Sequence, residues 1–259
     1  MENREKQIIR SESAGMWPPI PNGWKQVQNE SKNVFVIERV SDKSQFVWIP
    51  VCAITPNGSV DGIHLKKQFG RRSFDDTEII SYKETMDSLQ TQSIRQRDSV
   101  AEYGGFYISK YLISTSQYKL LSVANQKPLV NVSWYEALCS AQEFCDFWDF
   151  KVTSHLVYPS EYDSMIQWLI ELGVIDGESK QLVVSPKDCI IPDIGSLGEW
   201  TQEQCIEDEE LAIARGTNSI TSREPFRRMY RNGRLGFRIA LCIIFWKRSW
   251  DFKAFLLYM

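Results

Sequence analysis

Histidine is scarce: the 259-residue chain has two, His64 and His155. A three-histidine metal centre within one chain is thereby excluded, and a zinc site would need Cys or carboxylate ligands at spacings that are not found. Six cysteines are scattered without a CxxC pair, so reduced, mostly buried thiols are expected. The histidine count allows one Ser/His/Asp triad, but the GxSxG elbow that would carry its serine is missing. No uncharged hydrophobic run reaches membrane length. The most apolar stretch, Cys242 to Met259, is interrupted by Lys247, Arg248, Asp251 and Lys253. The N-terminus, MENREKQIIRSES, has no apolar core, so a signal peptide and export by that route are not expected. Neither sign of charge dominates. Thirty basic against thirty-three acidic residues leave a net charge of -3, which gives no global reason to expect nucleic acid or an anionic membrane as partner.

What is present is an ordinary globular composition, 43% hydrophobic and 24% charged. That excludes a disordered chain, a collagen-like chain and a small disulfide scaffold. Residues 1–33 form a polar N-terminal segment in which Pro18, Pro19, Pro21, Asn22 and Gly23 break the chain. The β-branched and aromatic runs at 34–37 and 46–54 predict a hairpin, and Pro50 within the second suggests an edge or a bulge. Residues 55–102 read as an insertion, a surface excursion whose second half, about 81–100, has a helical pattern. A strand is expected over 105–113, then a short helix capped by Ser114 or Thr115 and running to Leu121. Ser133 and Glu136 have capping-box spacing. The helix they open, about 134–148, would put Ala137, Ala141, Phe144 and Trp148 on one face. Ser160 to Asp163 opens a further helix with Gly173 as its stop. Only short strand-like pieces follow, at 200–201, 211–215 and 236–241. This order is α+β rather than alternating βαβ.

Several stretches, in order along the chain, resemble the formylglycine-generating, or sulfatase-modifying factor, family. They are FVWIP at 46–50, FYISKY at 106–111, SQY at 116–118, PLVNVSWYEA at 128–137, GSLGEWT at 195–201, Arg215-Gly216 and Gly236-Phe-Arg238. The resemblance implies one C-type-lectin-like α+β domain over 34–241, with an apolar tail at 242–259. The EYGGFYIS stretch from Glu102, VTSHL at 152–156, EYDS at 161–164 and EWTQE at 199–203 resemble a bacterial and phage branch. That branch includes the variable proteins of diversity-generating retroelements, in which the residues between the last two motifs form a diversified binding face. It implies a cytoplasmic or phage- and virion-associated protein.

The resemblance also defines what is missing. The family's oxygenase uses a pair of cysteines between those motifs to bind copper, and residues 215–238 contain no cysteine. Cys205 and Cys242 flank the segment without occupying the motif positions. Some relatives bind calcium beside the GSLGEWT position; here Glu199 stands alone, and its plain reading is a carboxylate paired with an arginine. No cofactor or metal is therefore expected, and His155 reads as a structural histidine.

Residues 215–238 hold seven arginines against one glutamate, just after five acids between Glu203 and Glu210. Arg215 and Arg238 sit at motif positions and are expected to be buried and paired. For the others two readings stand: the blocks pair with each other, or Arg223, Arg227, Arg228, Tyr230, Arg231 and Arg234 form a face for a protein or an anionic ligand. Nucleic acid is not expected, since no nucleic-acid-binding motif accompanies the local charge. The tail either docks on the fold or seats a partner, a second copy of this chain included. The leading expectation is non-catalytic recognition; the alternative is an enzyme of the same family with an altered site.

Overall fold

Consecutive apolar positions, as in FVWI at 46–49 and IALCI at 239–243, mark strands covered on both faces. The computed structural model describes residues 18–27, 34–51, 86–145, 152–185, 188–205, 208 and 210–243. In chain order the elements are β1 (Trp24–Val27), β2 (Val36–Arg39), β3 (Gln45–Pro50), α1 (Met86–Tyr103), β4 (Gly105–Ser109), β5 (Ser114–Ser116), β6 (Lys119–Leu121), α2 (Trp134–Glu143), β7 (Val152–Leu156), α3 (Pro159–Glu171), β8 (Gly198–Gln204), β9 (Leu211–Arg215), β10 (Arg223–Arg227), β11 (Leu235–Phe237) and β12 (Ile239–Ile243). The architecture is α+β. A six-stranded antiparallel sheet has the order β1-β2-β3-β4-β12-β7, and a second sheet has the order β10-β9-β8-β11 with β8 and β11 parallel.

Alternation along the large sheet feeds two cores. Phe46, Trp48, Tyr107 and Leu241 meet Trp134, Ala137, Leu138 and Ala141 of α2 on one face. Val47, Ile49, Phe106, Ile108 and Ala240 meet Tyr162, Met165, Ile166 and Leu169 of α3 on the other. Close packing fixes Gly105: a Cβ there would stand 2.4 Å from the Ile49 carbonyl and 2.6 Å from the Trp48 ring. α2 lies chiefly against β7 and β8.

The hairpin, the α2 capping box and the Gly173 stop are where the sequence puts them. The Glu136 carboxylate accepts the Ser133 N–H at 2.8 Å, and Gly173 has φ +72. Other expectations are corrected. Residues 114–121 are the hairpin β5–β6, not a helix, because Gln117 and Tyr118 take φ of 49° and 64° and close a tight turn. Pro50 is not a bulge but stands at a local edge, exposed and paired on one side alone. It ends a central strand, opposite Gly105 and beyond the last pairing with β2. α3 starts earlier than Ser160: Pro159 takes the first helical position, and Glu161 accepts the Tyr158 N–H at 2.9 Å. α1 is part of the fold rather than a surface excursion, since it buries Leu89, Ser93, Gln96, Ser99 and Val100. The folded unit also exceeds 34–241: β1 pairs with β2, and β12 runs to Ile243. His64, Trp148, the basic part of the insertion and residues 244–259 lie outside the described residues.

Candidate binding face

Two arginines tie the second sheet to the rest of the fold. Arg215, at the end of β9, is fully buried, pairs with Asp163 of α3, and donates from Nη1 to Glu203 of β8 at 3.1 Å. Its guanidinium also lies over the Tyr162 ring at 5.1 Å. The other Glu203 oxygen accepts from Arg223 Nε at 2.7 Å, so one buried carboxylate serves two guanidiniums. Arg238 sits where the chain passes from β11 in one sheet to β12 in the other. It binds Glu199 at 3.1 Å and donates to the carbonyls of Ser109, Lys110 and Pro192. Burial raises the Glu199 pKa, and Arg238 opposes the rise. The expectation of buried, paired Arg215 and Arg238 therefore holds, as does the plain reading of Glu199.

Outward from this network the chain reaches solvent. β10 pairs with β9, with Arg223 opposite Arg215, and then turns. The turn is pinned at three backbone points: Arg228 N–H to the Glu210 carbonyl, Trp134 N–H to the Arg228 carbonyl, and Asn131 N–H to the Asn232 carbonyl. Phe226 packs edge-on against buried Trp200, and Tyr230 stacks flat on Phe226 at 5.2 Å. Arg227, Tyr230, Arg231 and Arg234 are exposed, and so is Met229 at 67%. Arg231 meets Glu136 at 2.6 Å and Arg227 meets Glu210 at 3.9 Å, both pairs near the surface.

Two expected members do not belong to the exposed face. Arg223 is half-buried because it turns inward onto Glu203. Arg228 is 4% exposed, its guanidinium 5.3 Å from the centre of the Trp134 ring. The charged blocks pair in part: Glu203 and Glu210 take Arg215, Arg223 and Arg227, while Arg231 and Arg234 face outward. Met229, an apolar residue between charged ones, carries no periodicity that marks it in the sequence.

Comparison with family models, curated proteins and solved structures gives no match.

His155 and Cys242 are tied down elsewhere in the fold. His155 Nε2 lies 3.0 and 3.1 Å from the two oxygens of Glu161, which also accepts from Gln96, and all three residues are buried. Burial pushes the Cys242 thiol up to about 12, far from the thiolate needed for nucleophilic or metal chemistry near neutrality. Among the described residues no group of three or more His, Cys, Asp or Glu is placed to hold a metal ion. Nor is any helix among them long and apolar enough to cross a membrane.

Proposed function

We propose that the protein is a non-catalytic recognition domain whose exposed arginine–tyrosine face, residues 227–234, binds an acidic surface of a protein partner. The observation that carries this reading is the contrast along one short stretch. Arg215 and Arg223 are fixed inward by buried carboxylates, while Arg227, Met229, Tyr230, Arg231 and Arg234 stand in solvent on a turn with a pinned backbone. Arginine, tyrosine and methionine are the residues enriched at protein interfaces, and a preorganised backbone lowers the ordering cost of binding.

The scaffold is, in the same proposal, a C-type-lectin-like domain of the sulfatase-modifying-factor type. Its support is that the residues carrying the resemblance, Ser133, Glu136, Glu199, Arg215 and Arg238, also hold the fold together here. The missing cysteines in 215–238 favour recognition over the family's oxidation chemistry. If the chain belongs to the retroelement-diversified branch, residues 215–236 are the stretch that varies. A reverse-transcriptase gene beside a near-copy of the corresponding coding segment is the expected genomic arrangement, in a bacterium or phage.

Amide NMR during titration with hexaglutamate tests the face. Shifts concentrated at 227–234 and weakened by salt are expected. Shifts absent from this stretch overturn the reading.

A further inference from the structure

The charges around the turn do not balance. Arg227 has Glu210 and Arg231 has Glu136, while Arg228 and Arg234 have no carboxylate partner among the described residues. Arg234 is in solvent, where an unpaired charge costs little. Arg228 is different: it is 4% exposed, and its buried Nε and Nη2 have no hydrogen-bond partner among the described residues. Withdrawing a guanidinium from water without an anion is expensive, and the Trp134 face beneath it returns a small part of that cost.

Which atoms lack partners matters. Nε–H and the neighbouring Nη2–H lie on one edge of the guanidinium and point the same way. That edge is the two-pronged fork that grips a planar carboxylate through parallel hydrogen bonds. Arg223, five residues earlier, turns the same two nitrogens onto Glu203. Arg228 has this edge buried, with no carboxylate of the described residues on it. It lies beside the first residue of α2, where the helix dipole also favours negative charge.

From this we infer that Arg228 is the anchor of the recognition face and takes a carboxylate side chain of the partner on its Nε–Nη2 edge. The inference rests on the reading of 227–234 as a binding face and names the chemistry recognised at its centre. Arg227, Arg231 and Arg234 attract acidic surface from solvent and are screened by salt, whereas the shielded fork selects for geometry. Burial of the fork means that neighbouring side chains change rotamer as the carboxylate enters, the ordinary scale of adjustment at interfaces.

The test uses acetate as probe, with the full chain melted in sodium chloride and in sodium acetate at matched ionic strength. A saturable rise of roughly 2–4 °C is expected for the wild type. Arg228→Met and Arg228→Lys lose that rise, the second because it keeps the charge without the fork. The R227S/R231S/R234S triple variant keeps it. The Arg228 Nε–H resonance of the wild type is followed in the same titration and is expected to shift with acetate, so the outcome does not depend on any variant folding. The inference is overturned by no acetate response in the wild type, by an undiminished response in either Arg228 variant, or by a response to inorganic phosphate alone. Acetate binding at Arg228 with no hexaglutamate shifts at 227–234 would sink the recognition face and leave the anchor; the reverse result would sink the anchor and leave the face.

Discussion

Replacing Arg215 tests whether the buried network holds the scaffold of the face. Arg215 is fully buried and joins β9 to α3 through Asp163 and to β8 through Glu203. Arg215→Met keeps most of the volume and removes the charge. Two buried carboxylates then lose a partner, although Arg223 still holds Glu203. Removing one member of a buried ion pair costs about 3–5 kcal/mol, mostly as the penalty on the charge left behind. At about 2–4 °C per kcal/mol for a domain of this size, the melting temperature should fall by roughly 6–20 °C. Differential scanning calorimetry of the two proteins reads the loss. A methionine variant as stable as the wild type would refute the reasoning and make the network dispensable.

Trp134→Ala should cost about 3–5 kcal/mol, since Trp134 is fully buried and its Nε1–H donates to the Thr201 carbonyl at 2.9 Å; an unchanged thermal melt would contradict its place in the core. The backbone and side chain of Ser133 hold the Glu136 pKa below its ordinary 4.5, so its stabilising contribution is complete above that value and is lost as pH falls through the lower folded value. Glu136→Gln should flatten the acid side of the stability profile, and a profile identical to the wild type would count against the capping box. The chain should not oxidise a cysteine-containing sulfatase peptide with or without copper, as read by mass spectrometry; turnover abolished by mutating Cys205 or Cys242 would overturn the non-catalytic reading.

How far the sequence revealed this molecule depended on whether a local signal outweighed tertiary context. The Ser133–Glu136 box works within four residues, and the structure keeps it. The apolar runs announced the central strands because burial on both faces leaves no polar alternation to misread. Residues 114–121 misled because a tight hairpin turn here uses Gln117 and Tyr118 at positive φ, positions at which glycine or asparagine would have been the visible cue. α1 looked like surface because its buried side includes serines and a glutamine rather than an apolar stripe. Gln96 reaches Glu161 and Ser99 accepts the Ile243 N–H. In the arginine-rich segment, composition did not show which side chains turn inward. That choice is made by Glu203 on β8 and by the Trp134 ring, both distant in sequence from the arginines they receive.

The central claim is that the outward arginines serve a partner rather than the fold. Its most direct measurement is calorimetric titration of hexaglutamate into the wild type and into R227S/R231S/R234S, with melts of both proteins alongside. Surface pairs such as Arg231–Glu136 contribute about 0–1 kcal/mol each, so the melts should differ by a few degrees at most. Affinity for the acidic peptide should fall at least about tenfold, since interface arginines often carry more than about 2 kcal/mol. Undiminished affinity in a folded triple variant, or a melt lowered as far as that of Arg215→Met, would contradict the account.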